Sequence, residues 1–286
     1  MGSRFVELYK KSYNLLLPDE KEFDITNLDL VKNFTEARKI DVIIHFAAFT
    51  NVNAAEVERG NKQGLCWKVN VIGTENLLKA TKGEDIHFIH ISTDMVFSGS
   101  ESDPGPYNEN HPLENDISKL TWYGHSKAEG EKAVQKALGD KMTILRLIYP
   151  VRSNYPEKLD YLRSPLKRYK EGNIYPLFTD QQISISFIDE IAVVLDRIIQ
   201  KRAYGIYHAS SPDITTPYRL IFELIKLLYK DTSGLEEITL EEFLKTTKSP
   251  NYRYPKYGGL SVKRTEKDLG LKFSSTREIL QKLSLH

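Results

Sequence analysis

Tyr123-Gly-His-Ser-Lys127 sets a phenol and an ammonium at positions i and i+4. On a helix such positions share a face, one turn apart. An ammonium held there stabilises a tyrosinate and lowers the tyrosine pKa from its usual value near 10. The pair then works as a general acid/base toward a carbonyl oxygen near neutral pH. The spacing alone is weak. With 16 tyrosines in the chain, about one or two chance matches are expected. Tyr252 and Lys256 form a second match, but Pro255 lies inside it and breaks the helix that the geometry needs. The plain alternative for Tyr123 and Lys127 is an exposed helical pair.

Other residues supply context. Ser92, Thr93 and Asp94 close the apolar run IHFIHIST (86–93). In a parallel sheet that strand end opens onto the ligand crevice, so a hydroxyl there can bond the same carbonyl oxygen that Tyr123 protonates. Helix capping or turn formation is the alternative use of Ser92 and Thr93. The following MVFSGSESDPGP reads as loop, which weakens capping. Ala47 and Ala48 put small residues at the end of a second run, DVIIHFAA (41–48), where a flat ring or a phosphate can approach. Asn70, on the inner face of a long helix, needs partners if buried. Asp24 and Ile25, in FDIT, follow a first short strand, where an adenine is often gripped. Asp19 suits a ribose 2′-hydroxyl, which favours NAD, or a turn after Pro18.

Alternating strands and helices must position these residues. The pattern predicts a helix over 2–12, a strand at Asn14–Leu17, a helix over 27–38 and a strand over 41–48. A helix over 62–82, a strand over 86–93, a loop over 98–118, a helix from Trp122 to Leu138 and a strand over 142–147 follow. The nearly continuous apolar runs are those of strands buried on both faces. This is a doubly wound α/β pattern, whose ligands sit at the carboxyl ends of the strands. Beyond Pro150 the rhythm loosens. Helical patterns at 156–171, 187–201, 216–229 and 240–246 are interrupted by strand-like pieces at 183–186 and 205–210. Residues 1–150 are therefore expected to form one domain and 151–286 a smaller lobe, with segments returning to the sheet.

Forty basic against 39 acidic residues leave a net charge of +1, which argues against nucleic acid or an anionic membrane as partner. Cys66 is the single cysteine, so an internal disulfide and a multi-cysteine metal site are excluded and a reducing cytoplasm is expected. No metal site is expected. The first residues form a charged amphipathic stretch, not a signal peptide, and no apolar run has the length of a membrane span.

Taken in order, FDIT (23–26), IIHFAAFTNV (43–52), VNVIGTENL (69–77), ISTDMVFSG (91–99), YGHSKAEGEKAV (123–134) and ILRLIYP (144–150) resemble an extended short-chain dehydrogenase/reductase. More narrowly, the chain resembles the dTDP-4-dehydrorhamnose reductase family, with later matches in SFIDEIAVVL (186–195), GIYHAS (205–210) and KRTEKDLGLKF (263–273). The resemblance covers nearly the whole chain. It implies a Rossmann-like doubly wound parallel sheet with a smaller C-terminal α/β substrate lobe. It implies Thr93, Tyr123 and Lys127 as catalytic triad, and Gly2, Asp24, Ile25, Ala47, Ala48, Asn70 and Ser92 at the NAD(P) site, with Tyr149 on the ring side. The reaction implied is hydride transfer from NADPH or NADH to the keto carbon of a nucleotide-linked deoxysugar, the cofactor carrying the hard chemistry. Arg152, Arg253 and Lys256 are candidate contacts for the nucleotide diphosphate. A homodimer is compatible with the resemblance. An epimerase or dehydratase of the same superfamily is the alternative, though Asp94 lacks the second acid that dehydratases add. A regulatory subunit resembling that of methionine adenosyltransferase is a further one.

Two departures stand out. Met95 replaces the tyrosine usual in the STDYVF motif. The family also begins with a strand and a glycine-rich turn; here Gly2 aligns with the last glycine of that turn, and the strand and earlier glycines are absent. Without a central strand its neighbours part to roughly 10 Å, twice the normal spacing. Each buried group left unpaired costs about 1–3 kcal/mol. The expectation is therefore an N-terminally truncated reading frame, competent only in a longer form, the alternative being a protein that has abandoned cofactor binding.

Overall fold

The computed structural model describes residues 1–153 and 159–284. The chain divides into two compact units. The first holds residues 1–97, 112–146 and 195–207; the second holds 98–111, 147–194 and 208–286.

In the first unit, helix α1 (Gly2–Tyr9) buries Phe5, which stacks on Tyr9 and Tyr13. The Tyr13 hydroxyl donates to Asp196 at 2.6 Å. Asn14–Leu17, expected as a strand, is not one: it lies outside every sheet, and Leu16 and Leu17 are exposed. An extended segment with no strand beside it leaves its backbone groups to water, so residue preference alone does not make a strand. α2 (Leu28–Glu36) starts at Asn27, whose side chain accepts from the N–H groups of Asp29 and Leu30.

β1 (Val42–His45) is shorter than the run that announced it and forms one end of the sheet. Only His45 of its four residues is buried, so the expectation of burial on both faces fails there. α3 (Val52–Val57) follows, then a long helix in three pieces. These are α4 (Leu65–Trp67), a π-helical turn over Lys68–Gly73, and α5 (Thr74–Ala80). β2 (His87–Thr93) is buried at every residue and pairs in parallel with β1, Val42 opposite His87 through His45 opposite His90. α6 (Trp122–Leu138) matches its expected span. The Thr121 hydroxyl caps it by accepting from the Gly124 N–H at 3.0 Å. β3 (Thr143–Leu147) comes next, and Gly205–Ala209 returns to complete the sheet in the order β1, β2, β3, 205–209.

Helices α2, α5 and α6 meet this sheet through Ile25, Val31, Leu77, Phe88, Val134 and Ile144. α6 is fixed to β3 by a fully buried ion pair. Arg146 donates from Nε to Glu131 at 3.0 Å and from Nη2 at 2.7 Å, and its guanidinium lies over the Phe97 ring.

In the second unit, Pro150–Val151 pairs in parallel with Ser186–Phe187, and Leu177–Phe178 with Glu237–Ile238. The strand-like ISIS (183–186) yields only its last residue to a strand, while Ile183 makes a single bridge to Thr215. Helices Arg163–Lys170, Pro217–Tyr229 and Thr276–Ser284 surround a core of Leu162, Leu177, Ile185, Leu220, Leu224 and Ile279. The helix expected over 156–171 is seen from Arg163; residues 154–158 lie outside the described residues.

Candidate active site

The polar cluster forms where β2 ends beneath the first turns of α6. The Thr93 hydroxyl donates to Asp94 Oδ1 at 3.1 Å and accepts from the Met95 N–H at 3.3 Å. It thereby caps a 3₁₀ turn over Asp94–Val96, a capping role that the loop-like sequence had argued against. Gly124 lets α6 lie on this turn. A Cβ there would stand 2.2 Å from the Met95 carbonyl oxygen, closer than any side chain tolerates. Tyr123 is thus carried next to Thr93, within reach of its hydroxyl. Ser92 Oγ, one residue back, is buried and has no hydrogen-bond partner among the described residues.

Lys127 points inward and is buried. Its Nζ donates to the Ile91 carbonyl at 2.7 Å and lies 3.2 Å from His90 Nε2. Burial lowers the lysine to about 8, while Glu131 and Cys66 pull it upward. Tyr123 moves the other way. Burial first, then Asp94 and Cys66, push its pKa above the usual phenol value, and the Thr93 hydroxyl offsets this only in part. The downward shift expected from a lysine one turn away does not occur, because desolvation and nearby negative charge dominate. Asp94 is raised to about 7 by burial, against the pull of Thr93 and of the Asp94 and Met95 backbone. The corner thus holds a phenol that keeps its proton through neutral pH, a hydroxyl beside it and a buried lysine. Chemically it can hand a proton to an oxygen placed between Thr93 and Tyr123.

Asn70 sits in the π-helical turn, and its side chain is a two-way clasp. Its Oδ1 accepts from the Phe49 N–H at 2.8 Å, and its Nδ2 donates to the Phe49 carbonyl at 3.1 Å and to Ser126 Oγ at 2.9 Å. It therefore fixes the loop after β1, including exposed Ala47 and half-buried Ala48, and ties that loop to α6. Cys66 is buried beside this clasp, its sulfur 3.4 Å from Ser126 Oγ, and burial raises its thiol pKa. π turns of this kind occur often at functional sites.

The other sequence candidates stand in turns, in the core and at a helix start. The Asp24 carboxylate accepts from the N–H and hydroxyl of Thr26, both at 2.8 Å, in a local turn. Ile25 is core: its Cδ1 lies 2.6 Å from where a Gly73 side chain would begin, and its carbonyl accepts from Asn76. Gly2 lies at the start of α1, facing the Phe46 ring at 3.4 Å. Asp19 accepts from the N–H groups of Lys21 and Glu22, a turn use. In the second unit Tyr149 has φ 38°, a strained value for a tyrosine, and stacks on Tyr161 with centroids 4.0 Å apart. Arg152 is buried, Arg253 ends a 3₁₀ turn, and Lys256 pairs with Asp180 at 3.0 Å. The sequence reading passed over His90 and Glu131. Both were legible by period: His90 shares a strand face with Ser92, and Glu131 continues the Tyr123–Lys127 stripe by one turn.

The fold is a Rossmann-like α/β sheet with its polar cluster at a strand's carboxyl end. The model of the RmlD substrate binding domain matches residues 1–285, and the chain belongs to that family. A dTDP-4-dehydrorhamnose reductase of Aggregatibacter actinomycetemcomitans is 35% identical over 202 residues, 68% of this chain and 64% of that protein. The chain thus spans just under two thirds of that relative. The probable low-salt glycan biosynthesis reductase Agl14 of Haloferax volcanii is 27% identical over 87% of this chain and 78% of its own length. Among solved structures, dTDP-4-dehydrorhamnose reductase from Bacillus anthracis, in complex with NADP, superposes with TM-score 0.82 at 24% identity, covering 99% of this chain and 94% of that one.

Proposed function

We propose that the protein is an NAD(P)H-dependent reductase of a dTDP-linked 4-keto-6-deoxysugar. The observation that carries this reading is the Tyr123 phenol, held protonated beside the Thr93 hydroxyl at the end of β2. Family membership and the relatives named as reductases support the substrate class. Thr93 bonds the keto oxygen and orients it; Tyr123 gives that oxygen its proton. Lys127 carries the positive charge that steadies the developing oxyanion and tyrosinate. The residues present fit a dinucleotide at its nicotinamide end: Ser92 Oγ is a buried hydroxyl awaiting a partner, and Lys127 is a buried cation. NADPH or NADH, when bound, supplies the hydride. Ser92 and Lys127 would hold it there, with Ala47 and Ala48 giving room and Asn70 acting through Phe49. Dinucleotide binding is assigned to residues 1–150, with Tyr149 on its ring side, and substrate binding to 151–286, with Arg152 as a contact. Buried, reduced Cys66 supports a cytoplasmic setting, and a homodimer is the assembly to test by sedimentation.

The full-length protein, purified and given NADPH or NADH and a dTDP-4-keto-6-deoxyhexose, is expected to oxidise the cofactor. Tyr123→Phe should cut kcat by about 10²–10⁴. Unchanged turnover in that variant would refute the proton-donor role. No turnover in the native protein, together with co-purification of a partner enzyme, would favour a regulatory subunit.

A further inference from the structure

We propose that His90 is a positioning residue for Lys127, accepting a hydrogen bond from the ammonium and pinning it against the Ile91 carbonyl. The kinetic consequence rests on the reductase reading above; the structural claim does not.

His90 lies on β2 opposite His45 of β1, with ring centroids 5.3 Å apart, and its ring has no solvent exposure. Lys127 Nζ is 3.2 Å from its Nε2. An ammonium can only donate, so Nε2 is the acceptor and the ring proton sits on Nδ1. That Nδ1 is buried with no partner among the described residues, so the tautomer is chosen by the lysine. α6 accommodates the ring through Gly130, where a Cβ would stand 3.5 Å from His90 Nε2 and 2.9 Å from the Asn70 carbonyl oxygen. Two of the three ammonium N–H bonds are thereby fixed, by Ile91 and by His90, and the third takes a set direction. An unassisted lysine stem has no such preference.

The groups facing Lys127 are Glu131 from α6, Cys66 from α4, His90 from β2 and His45 from β1. The two imidazoles stay neutral, because burial, Lys127 and, for His90, also His45 keep their pKa values down. A neutral acceptor favours the charged form of the lysine. Without it, burial is opposed by one acceptor fewer, and the lysine pKa falls.

The test compares native protein with His90→Leu, which removes the acceptor, and His90→Gln, whose side-chain oxygen restores one near the Nε2 position. Histidine ¹⁵N spectra should show His90 neutral and protonated on Nδ1. Lysine ¹³Cε titration should show Lys127 losing its proton about one pH unit earlier in His90→Leu, and close to the native pH in His90→Gln. The alkaline limb of kcat should move down with it, with KM for the nucleotide sugar changed less than about threefold. A proton on Nε2, or an unmoved Lys127 titration in His90→Leu, would overturn the inference. Should His90→Leu fail to fold, the native tautomer and His90→Gln decide. Correct spectra without reductase turnover in the full-length protein would sink the functional reading and leave this one standing.

Discussion

Along β2 every residue is buried, and at its end Thr93, Asp94, Tyr123 and Lys127 are locked together by α6. One strand away, Val42, Ile43 and Ile44 of β1 are only half-buried, and Leu17, in the segment expected as a strand, is 63% exposed. Both stretches have β-branched or apolar sequence. What separates them is company. β2 has a strand on each side and α6 across it, whereas β1 ends the sheet and Asn14–Leu17 belongs to none of the sheets among the described residues. Backbone pairing and burial are supplied by neighbours, so the same residue preferences yield a rigid site in one place and a loose margin in the other.

The comparison breaks most sharply at the buried ion pair. Glu131→Gln strands the Arg146 guanidinium in the core, and urea unfolding should show a loss of about 3–5 kcal/mol. A loss below about 1 kcal/mol would mean that this pair does not hold α6 to β3. Acid should reach the same region. His45 stays neutral in the fold, its pKa lowered to about 3 from 6.5 by burial and Lys127. The unfolded chain takes up the proton first, so stability should fall as pH drops from about 6.5 toward 3, by up to ~1.4 kcal/mol per pH unit for this group. His45→Asn should flatten that slope, and an unchanged slope would tell against it. Gly124→Ala drives a methyl into the Met95 carbonyl and should cost about 1–3 kcal/mol. It should also lower kcat, since Tyr123 moves away from Thr93; thermal melts and turnover, measured together, check both. At the loose margin Leu17→Ser should change stability by no more than about 0.5 kcal/mol, and a larger loss would show hidden packing there.

Much of the corner was readable from spacing. The helix Trp122–Leu138, the phenol–lysine turn and the fully buried strand before it follow from period and apolar content. Asn70 was legible as a buried amide in need of partners, but the partner was not. Phe49 lies 21 positions away, on a loop that sequence alone cannot fold back onto the helix. The Asn14–Leu17 strand was misread for a related reason: its residues suit a strand, and the decision belonged to a neighbour.

The kind of chemistry, then, is written locally, in residue types at helical and strand spacing, because those periods fix which side chains share a face. The state of that chemistry is not local. Tyr123 retains its proton, Lys127 leans on His90 and Glu131 is locked to Arg146 because distant segments remove water and bring charges within reach. Desolvation and Coulomb terms depend on three-dimensional distance, which spacing along the chain does not set.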